Sequence, residues 1–518
     1  MSESVFPFRA AAIDVGSNAI RFAAGEFVDP HHWTELEAQR VPVRLGHNAF
    51  LTGSLDERNM TAAVDTMATF RRSLDNLGIA RYRAVATSAV RDSRNGPELV
   101  DRIRRETGIR LETITGTEEA RLVWVALRNR VDLGDDRWVA TDLGGGSLEI
   151  SMVSSEGIHW SESHTMGTVR LLEDLGQVEL DPQNFRVLLS EYTNTLRIPD
   201  HARPTKIGGL IATGGNIESL ADLAEAPTDE SGVSRLPYAD LRATAKMLAR
   251  LSVSERIEQL GLREDRADVI LPAAVIYGQV ARLVGATEIV VPRVGVREGV
   301  LLDLADDVSG PAVHASRLEQ LAFRGALALG QRFQFDELHG RHVARLALSL
   351  FDQLRDLHGL DDEDRRVLLV AATLHDVGQF VSYRRHHKHS LYLIYHSDVP
   401  GLSRPQRIIA SLVARYHRRA EPQNSHFLYK DLRGSSRVRV RRLASILRLA
   451  DALDREHLQR VPAVKATVDN ATLYLEMEGR GDLLLEHWSL RKKSSMFNSV
   501  FGIDVQPVRS SPVGPKVI

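Results

Sequence analysis

"RWVATDLGGGSLEI", residues 137–150, ends an apolar run on an aspartate, adds three glycines and a serine, and returns to an apolar pattern through a glutamate. Apolar runs separated by a glycine-rich turn predict a buried strand, a tight turn and a returning strand. Residues 9–27, "RAAAIDVGSNAIRFAAGEF", repeat this plan around Asp14, and Asp142 follows Asp14 after 128 residues. The two stretches predict an internal repeat of one half-domain, and this repeat decides the fold.

Strands and helices alternate around both stretches, as in the strand-like residues 82–88 and the amphipathic residues 57–77. This alternation predicts an α/β fold class with two α/β domains, which we expect to flank a cleft. From about residue 315 the pattern is helical only, and beyond residue 460 it predicts a hairpin, a helix and a strand. We therefore expect four domains: two α/β domains at 1–133 and 134–308, an all-α domain at 315–460, and a small α+β domain at 461–518.

The composition is that of an ordinary soluble protein, with 43% hydrophobic and 26% charged residues among 518. No apolar run approaches the roughly 20 residues of a membrane span, and the first residues, "MSESVFPFRA", lack the features of a secretory signal. We therefore expect a cytoplasmic protein with no membrane partner. The absence of cysteine excludes disulfides, thiolate nucleophiles and cysteine-ligated zinc.

Charge is distributed unevenly along the chain. Residues 384–460 contain 17 Lys and Arg against 6 Asp and Glu, a net charge of +11, so the rest of the chain carries −13. This asymmetry favours an anionic partner for the C-terminal half, although a salt-bridged helical surface would give the same composition. The residues expected to line a polyanion groove are Arg415, Arg418, Arg419, Arg437, Arg439, Arg441 and Arg442.

Three glycine loops follow predicted strands: one after Asp14, one after Asp142 and a third, "ATGGN", at residues 212–216. Glycines let backbone N–H groups approach an anion closely, and the third loop adds the N-terminus of a predicted helix. One such loop could be a simple hairpin turn, but three favour phosphate binding. An aspartate is repelled by phosphate unless it holds a bridging divalent cation, which is the role expected of Asp142 and, by the repeat, of Asp14. The expected phosphate-binding residues are Ser17, Asn18, Gly144, Gly145, Gly146, Ser147, Gly214, Gly215 and Asn216.

Six segments resemble, in order, the motifs of the exopolyphosphatase and guanosine pentaphosphate phosphohydrolase family. They are "AAIDVGSNAIR", "VATSAVRDS", "ITGTEEARLVW", "ATDLGGGSLEI", "ATGGN" and "GVREGVLLD", and they span residues 11 to about 305. The resemblance implies the actin-like, ribonuclease H-like ATPase fold for the two α/β domains. It also implies that water attacks a terminal phosphoryl group in line, assisted by Mg²⁺. A kinase is disfavoured, because "TGTEEARL" followed by "DLGGGS" is typical of the hydrolase branch.

The motif "TGTEEARL" supplies two candidate acids. From the residues alone, Thr117 is predicted to cap a helix whose first turn contains Glu118 and Glu119, where both acids would interact with the helix dipole. The resemblance implies instead that Glu119 is the general base, with Glu118 as the second candidate. It further implies that Arg91 contacts phosphate and that Glu149, on the strand after the glycine turn, supports the metal or the water.

Histidines are numerous between residues 339 and 457. The order His342, then His375-Asp376, then Asp451 is similar to the ligand set of HD-type metal phosphohydrolases, in which imidazole and carboxylate bind divalent metals. The sequence beyond residue 315 also resembles, more weakly, the helical third domain of the long family members. A second divalent metal is therefore expected here, unless the domain is a relic whose histidines cap helices or line a basic groove. Further histidines that could extend the set are His386, His387, His389 and His417.

These observations favour an exopolyphosphatase that releases terminal orthophosphate from inorganic polyphosphate, with conversion of pppGpp to ppGpp as a shared activity. Two alternatives stay open: an HD-type nucleotide phosphohydrolase regulated by the α/β half, and a polyphosphate- or alarmone-binding regulator without catalysis. We expect a homodimer, in which two basic grooves would form one channel, and no nucleic-acid partner.

Overall fold

The computed structural model describes residues 6–175, 182–198, 207–479 and 482–509. The chain forms two compact units, an N-terminal unit that ends at His314 and a C-terminal unit that begins at Ala315. The N-terminal unit contains two separate hydrophobic cores, one under each of its sheets, and the C-terminal unit contains a third.

Five strands form the first sheet of the N-terminal unit: β1 (Phe8–Val15), β2 (Ile20–Phe27), β3 (Trp33–Val41), β4 (Arg81–Ala86) and β5 (Leu111–Thr113). Their order is β3-β2-β1-β4-β5. β1 and β2 are antiparallel and are joined by the turn after Asp14, whereas β4 runs parallel to β1 and β5 parallel to β4.

Six strands form the second sheet: β6 (Trp138–Leu143), β7 (Leu148–Ser154), β8 (Gly157–His164), β9 (Leu210–Thr213), β10 (Ser234–Pro237) and β11 (Glu288–Val291). Their order is β10-β11-β9-β6-β7-β8. β6, β7 and β8 form an antiparallel meander, and β9 and β11 continue the sheet in parallel. Apart from the edge strand β10, this order reproduces the first sheet. The internal repeat is therefore present, because Asp14 and Asp142 occupy equivalent positions on β1 and β6.

The helices of the N-terminal unit are α1 (Ala49–Thr52), α2 (Glu57–Asn76), α3 (Ser88–Asp92), α4 (Gly96–Thr107), α5 (Gly116–Arg130), α6 (Thr168–Leu175), α7 (Pro182–Thr193), α8 (Gly215–Leu223), α9 (Tyr238–Leu248), α10 (Val253–Leu260), α11 (Glu264–Ala267), α12 (Ile270–Val284) and α13 (Val296–Ser309). α2 buries residues at intervals of three and four between Met60 and Leu74, which is the spacing of one helical face. Within the described residues, Glu264–Val284 is the one stretch long and apolar enough to span a membrane, and 67% of its apolar window is buried. α12, which makes up most of this stretch, is a core helix of the second sheet.

The start of α5 differs from the sequence prediction. The N-cap is Thr115, whose hydroxyl accepts a hydrogen bond from the N–H of Glu118 at 3.2 Å, so the prediction of Thr117 as the cap was wrong. Thr115 is extended, whereas Thr117 already lies in the first helical turn. Glu118 and Glu119 are consecutive helical residues, and their side chains leave the axis about 100° apart.

The C-terminal unit contains most of α14 (Pro311–Arg332), together with α15 (Glu337–Gln353), α16 (Arg355–His358), α17 (Asp362–Leu374), α18 (His386–His396), α19 (Arg404–Arg415), α20 (Gly434–Ala452), α21 (Leu484–Lys493) and α22 (Ser495–Phe501), with 3₁₀ turns at Val377–Phe380 and Tyr429–Asp431. A small sheet contains β12 (Ala463–Asp469), β13 (Thr472–Glu478) and β14 (Asp504–Arg509) in that order. Leu475 and Phe497 belong to the same core as the helices. The small α+β tail therefore shares its core with the helical region.

Candidate active site

A cleft opens in the N-terminal unit and is lined from both sheets. Its walls are the turn after β1, the glycine turn after β6, the β9–α8 turn and the start of α13. The predicted phosphate-binding residues that line it are Ser17, Asn18, Gly144, Gly145, Gly214, Gly215 and Asn216.

Gly146 and Ser147 were also predicted to bind phosphate, but they do not line the cleft. A Cβ atom on Gly146 would lie 2.4 Å from the Ser88 hydroxyl oxygen, and the side chain of Ser147 is buried. The backbone carbonyl of Ser147 accepts a hydrogen bond from the N–H of Gly144 at 3.0 Å. These two residues therefore contribute to the shape of the turn and do not form the wall of the cleft.

Two glycines are required by the close packing of the loops. A Cβ atom on Gly145 would lie 3.0 Å from the Cβ of Ser17, so the glycine lets the two strand-turn-strand motifs approach each other. Gly214 has a φ of +97°, where its Cβ would lie 3.3 Å from an Asp142 carboxylate oxygen. Backbone atoms can therefore reach a ligand in the cleft from both halves of the repeat.

Three carboxylates lie together at one side of the cleft. One oxygen from each of Glu119, Asp142 and Glu149 lies within 4.8 Å of the other two. The β6–β7 pairing places Asp142 opposite Glu149, and the first turn of α5 supplies Glu119. Of the metal set expected from the sequence, Asp142 and Glu149 lie in this cluster, Glu119 is its third member, and Asp14 lies outside it.

Asp14 lines the cleft but has a different neighbour. The residue opposite Asp14 on β2 is Arg21, which donates to its carboxylate at 3.3 Å, whereas the residue opposite Asp142 on β7 is Glu149. The two halves of the repeat have therefore diverged, because one aspartate faces a cation and the other faces a second acid.

Hydroxyl groups orient two of the three carboxylates. Thr213 donates to Asp142 at 2.7 Å, and Ser163 donates to Glu149 at 2.7 Å. The Oε2 atoms of Glu119 and Glu149 are buried and accept no hydrogen bond from any described residue. An unsatisfied buried oxygen costs about 1–3 kcal/mol, and more when it is charged. These two oxygens therefore favour a cation or water between them.

The pKa values of all three acids are raised. Burial, and then the charge of Asp142, raise the pKa of Glu149 from its ordinary value of 4.5 to about 7. Burial and then the charge of Glu149 raise the pKa of Glu119 well above its ordinary value, although Arg91 opposes this effect. Burial also raises the pKa of Asp142, despite the hydrogen bond from Thr213. Without a cation, the cluster therefore tends to hold protons near neutral pH.

Glu118 points away from this cluster. Its carboxylate accepts hydrogen bonds from Arg121 at 2.7 Å and from Arg83 at 2.9 Å. Arg121 also bonds to Asp303 of α13, so Glu118 belongs to a buried ion network. Burial alone would raise the pKa of Glu118, but the charges and hydrogen bonds of Arg121 and Arg83 outweigh this effect and lower it. The structure assigns Glu118 a structural position and leaves Glu119 as the acid of this pair that lines the cleft.

Arg91 lies beside Glu119, with Nη1 at 3.6 Å from the unsatisfied Oε2 atom. The same nitrogen donates to the backbone carbonyl of Ile114 at 3.2 Å. This carbonyl fixes the guanidinium next to the carboxylate cluster.

Several groups that line the cleft were not selected from the sequence: Arg21, Arg40, Arg266, Thr87 and Ser88. Burial, and then the nearby charges of Arg21 and Arg40, lower the pKa of Arg266 to about 10. The Nε of Arg266 is buried and donates to no described residue. Arg21 and Arg40 already pair with Asp14 and Asp265, so Arg266 is the one of these three guanidiniums that favours an added anion. Thr87 and Ser88 lie within the motif "VATSAVRDS", from which they could have been predicted to line the site. Arg40 and Arg266 lie in segments without a motif.

Buried histidines and aspartates of the C-terminal unit form a second cluster. Its members are His339, His375, Asp376, His386, His417 and Asp451. The Nε2 atoms of His339 and His375 are 3.2 Å apart, and Asp451 Oδ1 lies 3.7 Å from His375 Nε2. Of the predicted set, His375, Asp376 and Asp451 therefore come together.

His342 does not belong to this cluster, and its prediction as a ligand was wrong. Its Nδ1 accepts a hydrogen bond from Arg345 at 2.8 Å, whereas His339, three residues earlier on α15, faces His375. The sequence could not distinguish them, because both histidines are buried on one helix and the phase of that helix decides which one meets α17. His386 and His417 join the cluster, but His387 and His389 do not.

The basic residues predicted to line one groove do not share one environment. Four of them, all on α20, donate hydrogen bonds from their guanidiniums to other groups of the C-terminal unit: Arg437, Arg439, Arg441 and Arg442. Arg439 bonds to the buried Asp364 at 2.5 Å, so its charge is already compensated. The other three donate to neutral carbonyl or hydroxyl groups and keep their charge, so only Arg439 is removed from the predicted groove. Arg415 stacks on Tyr416, Arg418 is half-buried and Arg419 is exposed, and these three also stay candidates.

Comparisons with known proteins agree with these features. Residues 27–308 match the family model of the Ppx/GppA phosphatase family, and residues 323–494 match Ppx/GppA phosphatase, domain III. The guanosine-5'-triphosphate,3'-diphosphate pyrophosphatases of Vibrio vulnificus and Vibrio atlanticus are 24% and 27% identical to this chain. Their matches cover 90% and 92% of this chain and 92% and 93% of theirs.

A solved structure is also similar. The exopolyphosphatase from Cytophaga hutchinsonii matches with a TM-score of 0.53 and 29% identity, over 58% of this chain and 98% of that one. This similarity confirms the expected actin-like α/β fold. An HD-like fold of the helical region stays a prediction.

Proposed function

We propose, because this chain belongs to the Ppx/GppA phosphatase family, that it hydrolyses the terminal phosphoanhydride bond of inorganic polyphosphate and of pppGpp. The relatives named as guanosine-5'-triphosphate,3'-diphosphate pyrophosphatases support the nucleotide substrate, and the similar exopolyphosphatase supports the polymer. The observation that carries the proposal is the buried, unsatisfied Oε2 of Glu119 in a cleft lined by three glycine loops.

Glu119 has the position of a general base. Its Oε2 atom can accept a proton from a water molecule whose oxygen attacks the terminal phosphorus. As the new P–O bond forms, the bond from that phosphorus to the bridging oxygen breaks, and the bridging oxygen keeps the electron pair. The products are one orthophosphate and a chain shortened by one phosphate, or ppGpp when the substrate is pppGpp.

The substrate phosphates are proposed to lie along the glycine loops. Gly145, Gly215 and Arg266 line the cleft, where backbone N–H groups and the guanidinium can supply donors and positive charge. Arg91, next to the base, would contact the terminal phosphoryl group. A fixed guanidinium fork is suited to phosphate oxygens.

A divalent cation fits the carboxylate cluster. Enzymes of this family generally depend on a divalent metal, and we assign Mg²⁺ because the donors are hard carboxylate oxygens. Asp142 and Glu149 would hold the ion, with Thr213 and Ser163 fixing their orientation. When bound, the cation supplies positive charge to the phosphoryl oxygens.

The setting that we propose is a cytoplasmic enzyme whose two α/β domains, at 1–133 and 134–308, supply the cleft. Basic residues near the end of α19, above all Arg418 and Arg419, would attract the distal part of a long polyphosphate, since each phosphate carries about one charge. A homodimer would join two such surfaces into one channel.

The test is orthophosphate release by the purified chain from long polyphosphate and from pppGpp, with Mg²⁺ and with a chelator. We expect release from both substrates only with the divalent cation. Binding of either substrate without release would overturn the proposal and would favour a non-catalytic regulator.

A further inference from the structure

The cluster in the C-terminal unit contains two separate pairs of histidines. The Nε2 atoms of His339 and His375 are 3.2 Å apart, and those of His386 and His417 are 3.3 Å apart. Asp376 lies between the pairs: its Oδ1 atom is 3.9 Å from the Nε2 of His375 and 3.1 Å from that of His386. The same oxygen is buried and accepts no hydrogen bond from any described residue.

The outer nitrogen of each histidine already has an acceptor. The Nδ1 atoms of His339, His375, His386 and His417 face Asp454 Oδ2 at 2.8 Å, Ala372 O at 2.7 Å, Tyr383 O at 3.1 Å and Ala414 O at 2.6 Å, respectively. A carbonyl or carboxylate oxygen only accepts, so in the neutral ring Nδ1 carries the proton. Each Nε2 then presents a lone pair to the cluster. Two lone pairs at 3.2 Å repel each other unless a proton or a metal ion lies between them.

We propose that this cluster binds two divalent transition-metal ions that share the Oδ1 atom of Asp376. The first ion would be bound by His339, His375, Asp376 and Asp451, and the second by His386, His417 and Asp376. Neutral imidazole with a few carboxylates is a donor set that suits Mn²⁺, Fe²⁺, Co²⁺ or Zn²⁺ better than Mg²⁺. This site lies wholly in the C-terminal unit and is distinct in both place and chemistry from the carboxylate cluster of the cleft.

Surrounding groups hold the ligands in a geometry that suits this role. Asp454 orients the ring of His339, in the manner of the carboxylate–histidine contacts that support metal ligands. Lys493 bonds to the Oδ2 of Asp451 and leaves its Oδ1 facing the histidines. Gln379 donates to the Oδ2 of Asp376 at 2.6 Å, which again leaves Oδ1 for the cluster.

Metal content of the full-length chain tests the proposal. Protein loaded with Mn²⁺ and then desalted is expected to retain two ions per chain, and the bridged pair is expected to give an exchange-coupled EPR signal. His386→Ala and His417→Ala should each retain one ion and give the signal of isolated Mn²⁺. The measurement is repeated in the Glu149→Gln background, so that the cleft does not contribute an ion.

His342→Ala is the matched control, because this buried histidine lies on the same helix as His339 but bonds to Arg345. It is expected to retain two ions and the coupled signal. A wild-type content of one ion or none, an uncoupled signal at two ions, or an equal loss in His342→Ala would each overturn the proposal. None of these results depends on orthophosphate release by the cleft, so the two proposals can fail separately.

Discussion

Replacing Glu119 by Gln separates catalysis from folding at the centre of the cleft. Glutamine has nearly the same shape as glutamate but cannot accept the proton of the attacking water. We expect kcat to fall by about 10²–10⁴-fold, which corresponds to about 3–5 kcal/mol of transition-state stabilisation. Substrate binding should be retained, because the glycine loops and Arg266 are unchanged.

The same substitution should not destabilise the metal-free protein. A raised pKa means that the folded state favours the protonated form of Glu119. The stabilisation from this side chain is therefore present in acid and is lost as the pH rises through the raised pKa. Its neighbour Glu149 gives the scale: a shift from 4.5 to about 7 corresponds to about 3 kcal/mol. Glutamine removes a charge that burial and Glu149 oppose, so Tm at pH 8 without divalent cation should rise.

Glu118→Gln is the matched control, one residue away on the same helix. The pKa of Glu118 is lowered, so its charge stabilises the fold above its ordinary pKa, and this contribution is lost as the pH falls through the lowered value. Removing one partner of a buried ion network costs up to about 3–5 kcal/mol. We expect a lower Tm and a nearly normal kcat in this variant. Orthophosphate release and thermal denaturation measure both effects, and equal losses of kcat in the two variants would refute the assignment of the base.

Three further predictions concern the cation, the pH and the polymer. Asp142→Asn should raise the Mg²⁺ concentration needed for half-maximal rate by an order of magnitude or more, and an unchanged Mg²⁺ titration would leave Asp142 as a turn residue only. The pKa of Glu149 is about 7, so activity at limiting Mg²⁺ should fall as the pH drops below about 7. Added Mg²⁺ should move the midpoint of this pH profile to lower pH, because the ion binds the deprotonated carboxylate. A midpoint that stays in place as Mg²⁺ is added would contradict this expectation. Charge reversal of Arg418 and Arg419 should reduce processive shortening of long polyphosphate, while pppGpp hydrolysis is retained. Arg439→Glu should mainly lower Tm. Product length over time, measured at two salt concentrations, distinguishes these effects.

The sequence predicted the features that depend on local pattern. The repeated strand, aspartate and glycine turn led to the two sheets and to the positions of Asp14 and Asp142, because a buried strand followed by a tight turn is encoded within a dozen residues. The same pattern could not predict that Asp14 faces Arg21 while Asp142 faces Glu149. That difference depends on which side chain lies opposite in the strand pairing.

Features that depend on helix phase and on distant partners were predicted less well. Glu118 and Glu119 are adjacent in sequence, and only the rotation of α5 sends one into an ion network with Asp303 and the other into the cleft. The same limit applied to His342. Arg439 was expected to attract a polyanion, but Asp364, 75 residues earlier in the chain, compensates its charge.

Hydrolysis of pppGpp in ¹⁸O-labelled water tests the central claim most directly, because it follows the oxygen that attacks phosphorus. If water attacks the terminal phosphorus, each released orthophosphate carries one labelled oxygen and ppGpp carries none. Mass spectrometry of the two products after a single turnover measures both. Label in ppGpp, or release of pyrophosphate in place of orthophosphate, would contradict the account.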